Sequence, residues 1–443
     1  MKNIADFNSK KCTTETGSIT ISLVALTLVT VCSVGYFFVQ NLKSKLESRI
    51  TGCTLVSEDV HTAIDFEYIN DWIVIQVKVD GSENTYPFIF DTGAQTVVLD
   101  TLLNSLSEND YQKLSFGSAS DSIGHAFNNE IITLNKIEIG GIIFKDIGSL
   151  SARNSKWGML NCISPYGIIG YNVLKTLNFQ VDYAKQQIIF TDQVERLKNY
   201  SEIQWVKYKP LSTQESPIIQ AVIEDSLKVD LLFDTGMNGG ISLSSEKLYG
   251  FFKTKYPNEI EHYATIPTIR IRGEKEATIQ SFGLVARSFS IGSQSFPNIE
   301  IDVKNVPVRE FEGIVGNHFF ENFIITLDYQ KRRVGFIQQK EISRNRGRFG
   351  VSYTARNDRL IVTRLYSGVN QITDGIQAGD EIFSINGIEI SSLPSETFCK
   401  IYRDEFNFSQ PEDSILELAV AKHDSIFRYT FPRGDGESGM SFR

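Results

Sequence analysis

The tripeptide Asp-Thr-Gly occurs twice, at Asp91-Thr92-Gly93 and Asp234-Thr235-Gly236, and each copy ends an apolar run, Phe88-Ile89-Phe90 and Leu231-Leu232-Phe233. Average residue usage gives one such tripeptide by chance in roughly one chain in ten of this length, so two copies in matched settings are not an accident. Each aspartate is delivered by a hairpin pattern. Trp72–Val79 is apolar with partial alternation, Asp80-Gly81 is a turn signal, and Tyr86–Phe90 returns into Asp91. Ile218–Ile223, Asp225-Ser226 and Val229–Phe233 repeat the pattern into Asp234. Glycine at 93 and 236 permits a backbone path that a side chain would obstruct. Two carboxylates in equivalent settings point to paired acid and base chemistry.

A second repeat runs in step with the first. Gly167-Ile168-Ile169-Gly170 through Asp182-Tyr183 to Phe190 aligns without gaps on Gly313-Ile314-Val315-Gly316 through Asp328-Tyr329 to Phe336. The offset is 146 (313 − 167), against 143 for the aspartates (234 − 91). Two features at nearly one offset imply two homologous lobes of about 140 residues, an ordinary domain size. The expected boundaries are 60–195 and 200–340.

The 443 residues exceed what one core usually serves, and the net charge of −9 with no Lys/Arg block excludes a nucleic-acid binder. Protein or peptide partners are expected instead. The cysteines at 12, 32, 53, 162 and 399 are odd in number, scattered and without a CxxC, so neither a disulfide framework nor a zinc site is expected. The five histidines, at 61, 125, 262, 318 and 423, form no HExxH or other i, i+4 pair, and no metal or other cofactor is called for.

Residues 1–50 read as a tail and membrane anchor, because Ser18–Val39 carries no charge and is long enough to cross a bilayer as a helix. No small-x-small cleavage site follows Phe38-Val39 directly, which favours an uncleaved anchor over a signal peptide. Lys2, Lys10 and Lys11 balance Lys43, Lys45 and Arg49, so charge leaves the orientation open. With the N-terminus cytoplasmic by default, the folded lobes stand on the extracytoplasmic, periplasmic side. Ile50-Thr51-Gly52-Cys53 looks like a lipoprotein box, but the charged stretch 43–49 separates it from the apolar run; a lipid-anchored receptor is the lesser alternative.

Beyond Arg344 the character changes. Arg348-Phe349-Gly350-Val351, Gly379-Asp380-Glu381-Ile382 and Ile385-Asn386-Gly387 resemble the carboxylate loop, strand entry and turn of a PDZ domain of the kind associated with bacterial proteases, covering 345–435. The resemblance implies a groove between strand edge and helix that takes peptide C-termini, with residues 348 to 351 as the carboxylate loop.

Asp91-Thr92-Gly93-Ala94-Gln95-Thr96-Val97-Val98-Leu99, with the Gly-Φ-Φ-Gly turns at 167–170 and 313–316, resembles the retropepsin-like aspartic proteases, the clan of pepsin and the retroviral enzymes. The resemblance spans about residues 65–340 and implies a mainly β fold, two β-barrel lobes about a pseudo-twofold axis. It implies Asp91 and Asp234 as the catalytic pair, Thr92 and Thr235 as cross-lobe locks, and Gly93 and Gly236 as sources of backbone N–H groups. One carboxyl then activates water and the other donates a proton, because neighbouring carboxyls share one proton over a wide pH range. Peptide-bond hydrolysis is the expected activity. Ala94 and Met237 stand where pepsin-like enzymes usually have Ser or Thr, and neither donates to a carboxylate, so a milder working pH is expected. Met237 also departs from the family's usual small residue. The flap is expected between Phe116 and Ile132, around Gly124-His125-Ala126-Phe127, without a counterpart of the pepsin flap tyrosine. The alternative is a catalytically idle peptide-binding scaffold at the membrane.

Overall fold

The two hairpins that carry the aspartates each feed a closed sheet. The computed structural model describes residues 51–432 apart from 81, 121–125, 158–159, 269–276, 308–309, 343–348, 350, 357–358, 366–374, 378, 391, 404–414 and 423–424. The anchor expected over Ser18–Val39 lies outside the described residues. Among the described residues no helix is long and apolar enough to cross a membrane.

In lobe 1, Trp72–Val79 pairs antiparallel with Thr85–Phe90, as the alternation and turn signal predict. Phe90 then runs parallel to Ile169, and Val97–Leu99 pairs with Gly167-Ile168 on the other side. The strand Gly167–Ile169 is therefore threaded between the two arms of the loop that carries Asp91. Lobe 2 repeats this arrangement. Ile218–Ile223 pairs with Leu227–Phe233, Phe233 runs parallel to Val315, and Ile241–Leu243 pairs with Gly313–Val315. The chain is mainly β, with two β-barrel lobes and a PDZ domain.

The lobes share a six-stranded sheet in the order His61–Asp65, Gln187–Thr191, Asn178–Asp182, Phe323–Asp328, Arg333–Gln338 and Gln204–Pro210. At its centre Gln180 pairs with Thr326, its own counterpart at the 146-residue offset (326 − 180), and Phe179 and Val181 pair with Leu327 and Ile325. That register puts the pseudo-twofold axis through Gln180 and Thr326, whose side chains hydrogen-bond at 2.8 Å. One apolar core runs through both lobes. Phe90 meets Phe179 edge-on at 4.9 Å in one lobe, and Phe233 stacks on Phe320 at 4.2 Å in the other. Burying each such ring stabilises the fold by about 2–3 kcal/mol.

A long hairpin occurs in each lobe: Tyr111–Ser120 with Ala126–Ile139, and Ile260–Thr268 with Ala277–Ile291. The flap expectation falls on the first, with residues 121–125 outside the described set. The second lies outside the sequence expectations.

The PDZ sheet places Val351–Arg356 at one edge and Ser425–Pro432 at the other. Asn386 and Gly387 both have positive φ, at 47° and 80°, which a tight two-residue hairpin turn demands. The helix Ser395–Arg403 buries Phe398 and Tyr402. A single apolar cluster joins these residues to Ile89, Cys162, Ile163 and Ile168 of lobe 1, so the PDZ domain is packed onto the lobe. Arg403 Nη2 reaches Glu67 Oε2 at 3.1 Å, and the Asn70 side-chain amide donates to the Tyr402 carbonyl. On the other side, Ile260–Thr268 of lobe 2 lies beside the PDZ strand Arg359–Leu365.

One cysteine expectation changes. Cys162 and Cys399 form a disulfide across 237 residues, so packing is not the sole tie. Their spacing carries no signal because the bond joins a lobe 1 segment to a PDZ helix that only the tertiary fold brings together. Cys53 is free, packs against the lobe 1 core, and has its thiol pushed up to about 12 by burial, an environment that argues against a lipid there.

Candidate active site

Each aspartate sits where a buried strand becomes a loop, and its backbone N–H is fixed by the strand threaded beside it. Asp91 N donates to Ile169 O and Asp234 N to Val315 O, both at 3.0 Å. The tripeptides then meet across the axis. Thr92 Oγ1 donates to Phe233 O at 2.8 Å and Thr235 Oγ1 to Phe90 O at 3.0 Å. In return Thr92 N donates to Thr235 Oγ1 and Thr235 N to Thr92 Oγ1, each at 3.1 Å. Both threonines are fully buried, so these four bonds form in a dry seam where an unmade bond costs most.

The seam sets the two carboxyls side by side, each against the glycine of the other lobe. Gly93 N and Ala94 N donate to Asp91 Oδ1 at 2.7 and 2.9 Å, and Gly236 N to Asp234 Oδ1 at 2.8 Å. The glycines are needed for space. A Cβ on Gly93 would stand 2.4 Å from Asp234 Cγ, and one on Gly236 2.0 Å from Asp91 Cγ. The glycine of each lobe thus makes room for the carboxyl of the other.

Burial pushes both carboxyls above the usual range. Asp234 is pushed further, since the charge of Asp91 beside it adds to desolvation. Asp91 takes two N–H donors from its own loop and Asp234 one, and the pair shares one proton between its carboxyls.

The loops following the motifs differ. Ala94 and Met237 bring no side-chain donor; Ala94 N reaches the Asp91 carboxyl, whereas Met237 N turns to the Asp234 carbonyl at 3.3 Å. In lobe 1 the loop is braced by Asn172, whose Oδ1 accepts from Thr96 N at 3.1 Å and Thr96 Oγ1 at 2.6 Å, while Gly170 N donates to Thr96 Oγ1. In lobe 2 the counterparts of Thr96 and Asn172 are Gly239 and His318. There Asn317, fully buried, donates through Nδ2 to Thr235 O and to Asp71 O, and accepts from Tyr183 Oη, each at 2.7 Å. Gln214 reaches across from lobe 2 to donate to Gly93 O at 2.7 Å.

Sequence reading missed Thr96, Asn172, Tyr183, Gln214 and Asn317. The only local signal was a polar amide just after each Gly-Φ-Φ-Gly turn, inside an otherwise apolar stretch. In the expected PDZ carboxylate loop, Phe349 and Val351 pack in the cluster shared with lobe 1, and Arg348 and Gly350 lie outside the described residues.

Residues 75–173 match the family model of aspartyl proteases, and residues 338–403 that of PDZ domains. No curated protein matches the chain. Among solved structures, basic 7S globulin from soybean aligns with a TM-score of 0.38 at 12% identity, over 64% of this chain and 96% of the globulin chain. The family segments and the paired lobes agree in what they assign: the chain carries an aspartyl protease-like domain joined to a PDZ domain.

Proposed function

We propose that the chain is a single-chain aspartic endopeptidase in which Asp91 and Asp234 activate a water between them. The observation that carries this reading is the meeting of two carboxyls, one from each lobe, across the threonine seam, each packed against the other lobe's glycine and with backbone N–H groups aimed at both. The charged Asp91 takes a proton from water as it attacks the peptide carbonyl, and the protonated Asp234 donates to the oxygen that gains charge. The tetrahedral intermediate collapses as Asp91 passes the proton it took from water to the departing nitrogen, the C–N bond breaks, and Asp234 recovers its proton from the hydroxyl that becomes the new carbonyl. Thr92 and Thr235 hold the pair in register, and Gly93 and Gly236 leave the space in which it forms.

In this reading the PDZ domain takes substrate chain ends along Val351–Arg356, an edge strand of its sheet. The uncharged stretch Ser18–Val39 anchors the protein as a single pass, and the lobes and PDZ domain work on the extracytoplasmic side. The Cys162–Cys399 disulfide supports that side, because such bonds persist in oxidising compartments.

The test is digestion of a denatured protein and a peptide library. Internal cleavage that is blocked by statine-type inhibitors and lost in Asp91→Asn and Asp234→Asn supports the reading. Binding of peptides without any cleavage supports the idle scaffold instead.

A further inference from the structure

We propose that Asn317 is a positioning residue for the Asp234 carboxyl, acting through the peptide plane between Thr235 and Gly236. This inference rests on the endopeptidase reading for its consequence in rate, but its geometry stands on the bonds themselves. In a trans peptide the C=O and N–H lie in one plane and point in opposite directions. Here the carbonyl end of that plane accepts from Asn317 Nδ2 at 2.7 Å, and the N–H end donates to Asp234 Oδ1 at 2.8 Å. Fixing one end fixes the other. The bond at the carbonyl also polarises the amide, which strengthens the N–H as a donor to the carboxyl.

The amide is held in turn by lobe 1. Its second Nδ2 hydrogen goes to Asp71 O, and its Oδ1 accepts from Tyr183 Oη, so three partners determine its orientation. Tyr183 is wedged by edge contacts with Phe66 at 6.1 Å and Tyr68 at 5.5 Å. The ionisable groups facing this brace are Glu321 and Asp71; with burial, their charges push the Tyr183 hydroxyl well above its usual range, so Tyr183 remains a neutral donor. The lobe 1 counterpart of Asn317 at the 146-residue offset is Tyr171 (317 − 146), a side chain that cannot make two amide donations. The brace is therefore a lobe 2 feature. It stands where Met237, Gly239 and His318 deprive the loop of the Thr96–Asn172 pair that lobe 1 uses.

The test compares Asn317→Ala and Tyr183→Phe with the wild-type full-length chain in peptide cleavage and in titration of 13C-labelled Asp carboxyls. The expected result is a fall in kcat of about tenfold or more for Asn317→Ala with KM little changed, because a misaligned catalytic group costs rate rather than binding. Tyr183→Phe shows the same pattern at smaller size and decides the matter if Asn317→Ala does not fold. In both variants the carboxyl pair holds its proton to higher pH, since a weakened N–H donor stabilises the charged form less. Variants that lose thermal stability but keep wild-type kcat and an unmoved carboxyl titration overturn the proposal. An inert wild type sinks the endopeptidase reading alone; the titration then decides the brace, and an unmoved one overturns it.

Discussion

The two lobes share strand order, hairpins and the Asp-Thr-Gly loop, yet each supports that loop in its own way. Lobe 1 braces the far side of its loop from within, through Thr96 and Asn172, and takes one bond from lobe 2, Gln214 to Gly93 O. Lobe 2 has Gly239 and His318 at those places and is held by Asn317, which lobe 1 groups orient. The segment before the second glycine turn differs too. Lobe 1 has residues 153–166 where lobe 2 has only 305–312, and the longer segment carries Cys162 and the contact with the PDZ helix. A duplicated unit has thus kept its chemical groups in register while the scaffolding around them diverged, because the bonds across the axis demand symmetry and the outer supports do not.

The largest effect tests the symmetric part. Asp91→Asn and Asp234→Asn should each lower kcat by about a thousandfold or more despite their different loops, since each removes either the base or the acid. A variant retaining near wild-type cleavage on one side only would break the equivalence. Next comes the asymmetric tie to the PDZ domain. Cys399→Ser should lower the stability of the docked domain by about 2–5 kcal/mol in denaturant titration. Hydrogen exchange should rise around Cys162 and Ser395–Arg403 while the lobe 2 contact of Ile260–Thr268 with the PDZ domain stays protected; equal loosening at both contacts would show that the disulfide does not act on the lobe 1 contact in particular.

The braces give a middle-sized effect. Asn172→Ala strands the buried Thr96 N–H and hydroxyl and should cost about 2–4 kcal/mol, whereas His318→Ala, at a side chain one-third exposed, should cost under about 1 kcal/mol. Equal costs would mean the lobes are braced alike after all.

The shared proton links the pair to pH. The folded-state pKa values of Asp91 and Asp234 lie above their unfolded ones, so the folded chain binds more protons than the unfolded chain between those values. Stability should therefore fall as pH rises from about 4 through the folded value, by up to about 1.4 kcal/mol per pH unit for each proton retained. Asp234→Asn should flatten that slope in Tm against pH. Activity should likewise peak above about pH 3, because Ala94 and Met237 give the carboxyls no hydroxyl donor to lower their range.

The hairpins, the paired aspartates and the duplication were legible because each is written in local pattern: alternation, a turn residue, a repeated tripeptide. The Thr92 and Thr235 locks were accessible only through resemblance to a family, since one threonine says nothing of a partner 143 residues away (235 − 92). Asn317 and Tyr183 were illegible for a related reason. A buried amide is specified by three partners from distant segments, and none of those distances is encoded in spacing. The Cys162–Cys399 bond hid behind an odd cysteine count, which Cys12, Cys32 and Cys53 produce without taking part in it. The second long hairpin, at 260–291, was illegible because Pro267 falls within its first strand, and a proline inside a run argues against a strand.

The smallest effect concerns the rim of the PDZ contact. Arg403 and Glu67 meet at 3.1 Å with side chains 37% and 52% exposed, so water and salt screen the pair. Arg403→Ala should cost only about 0.2–1 kcal/mol, less in high salt. The apolar cluster around Phe398, Tyr402, Ile163 and Ile168 has no such screening, and Phe398→Ala should cost about 3–5 kcal/mol at any ionic strength. If Arg403→Ala alone released the PDZ domain from lobe 1, as read by hydrogen exchange, the contact would be held by its charged rim. The buried position of Phe398 and Tyr402 argues that the apolar centre and the disulfide hold it, and that lobe 1 and the PDZ domain unfold as one body.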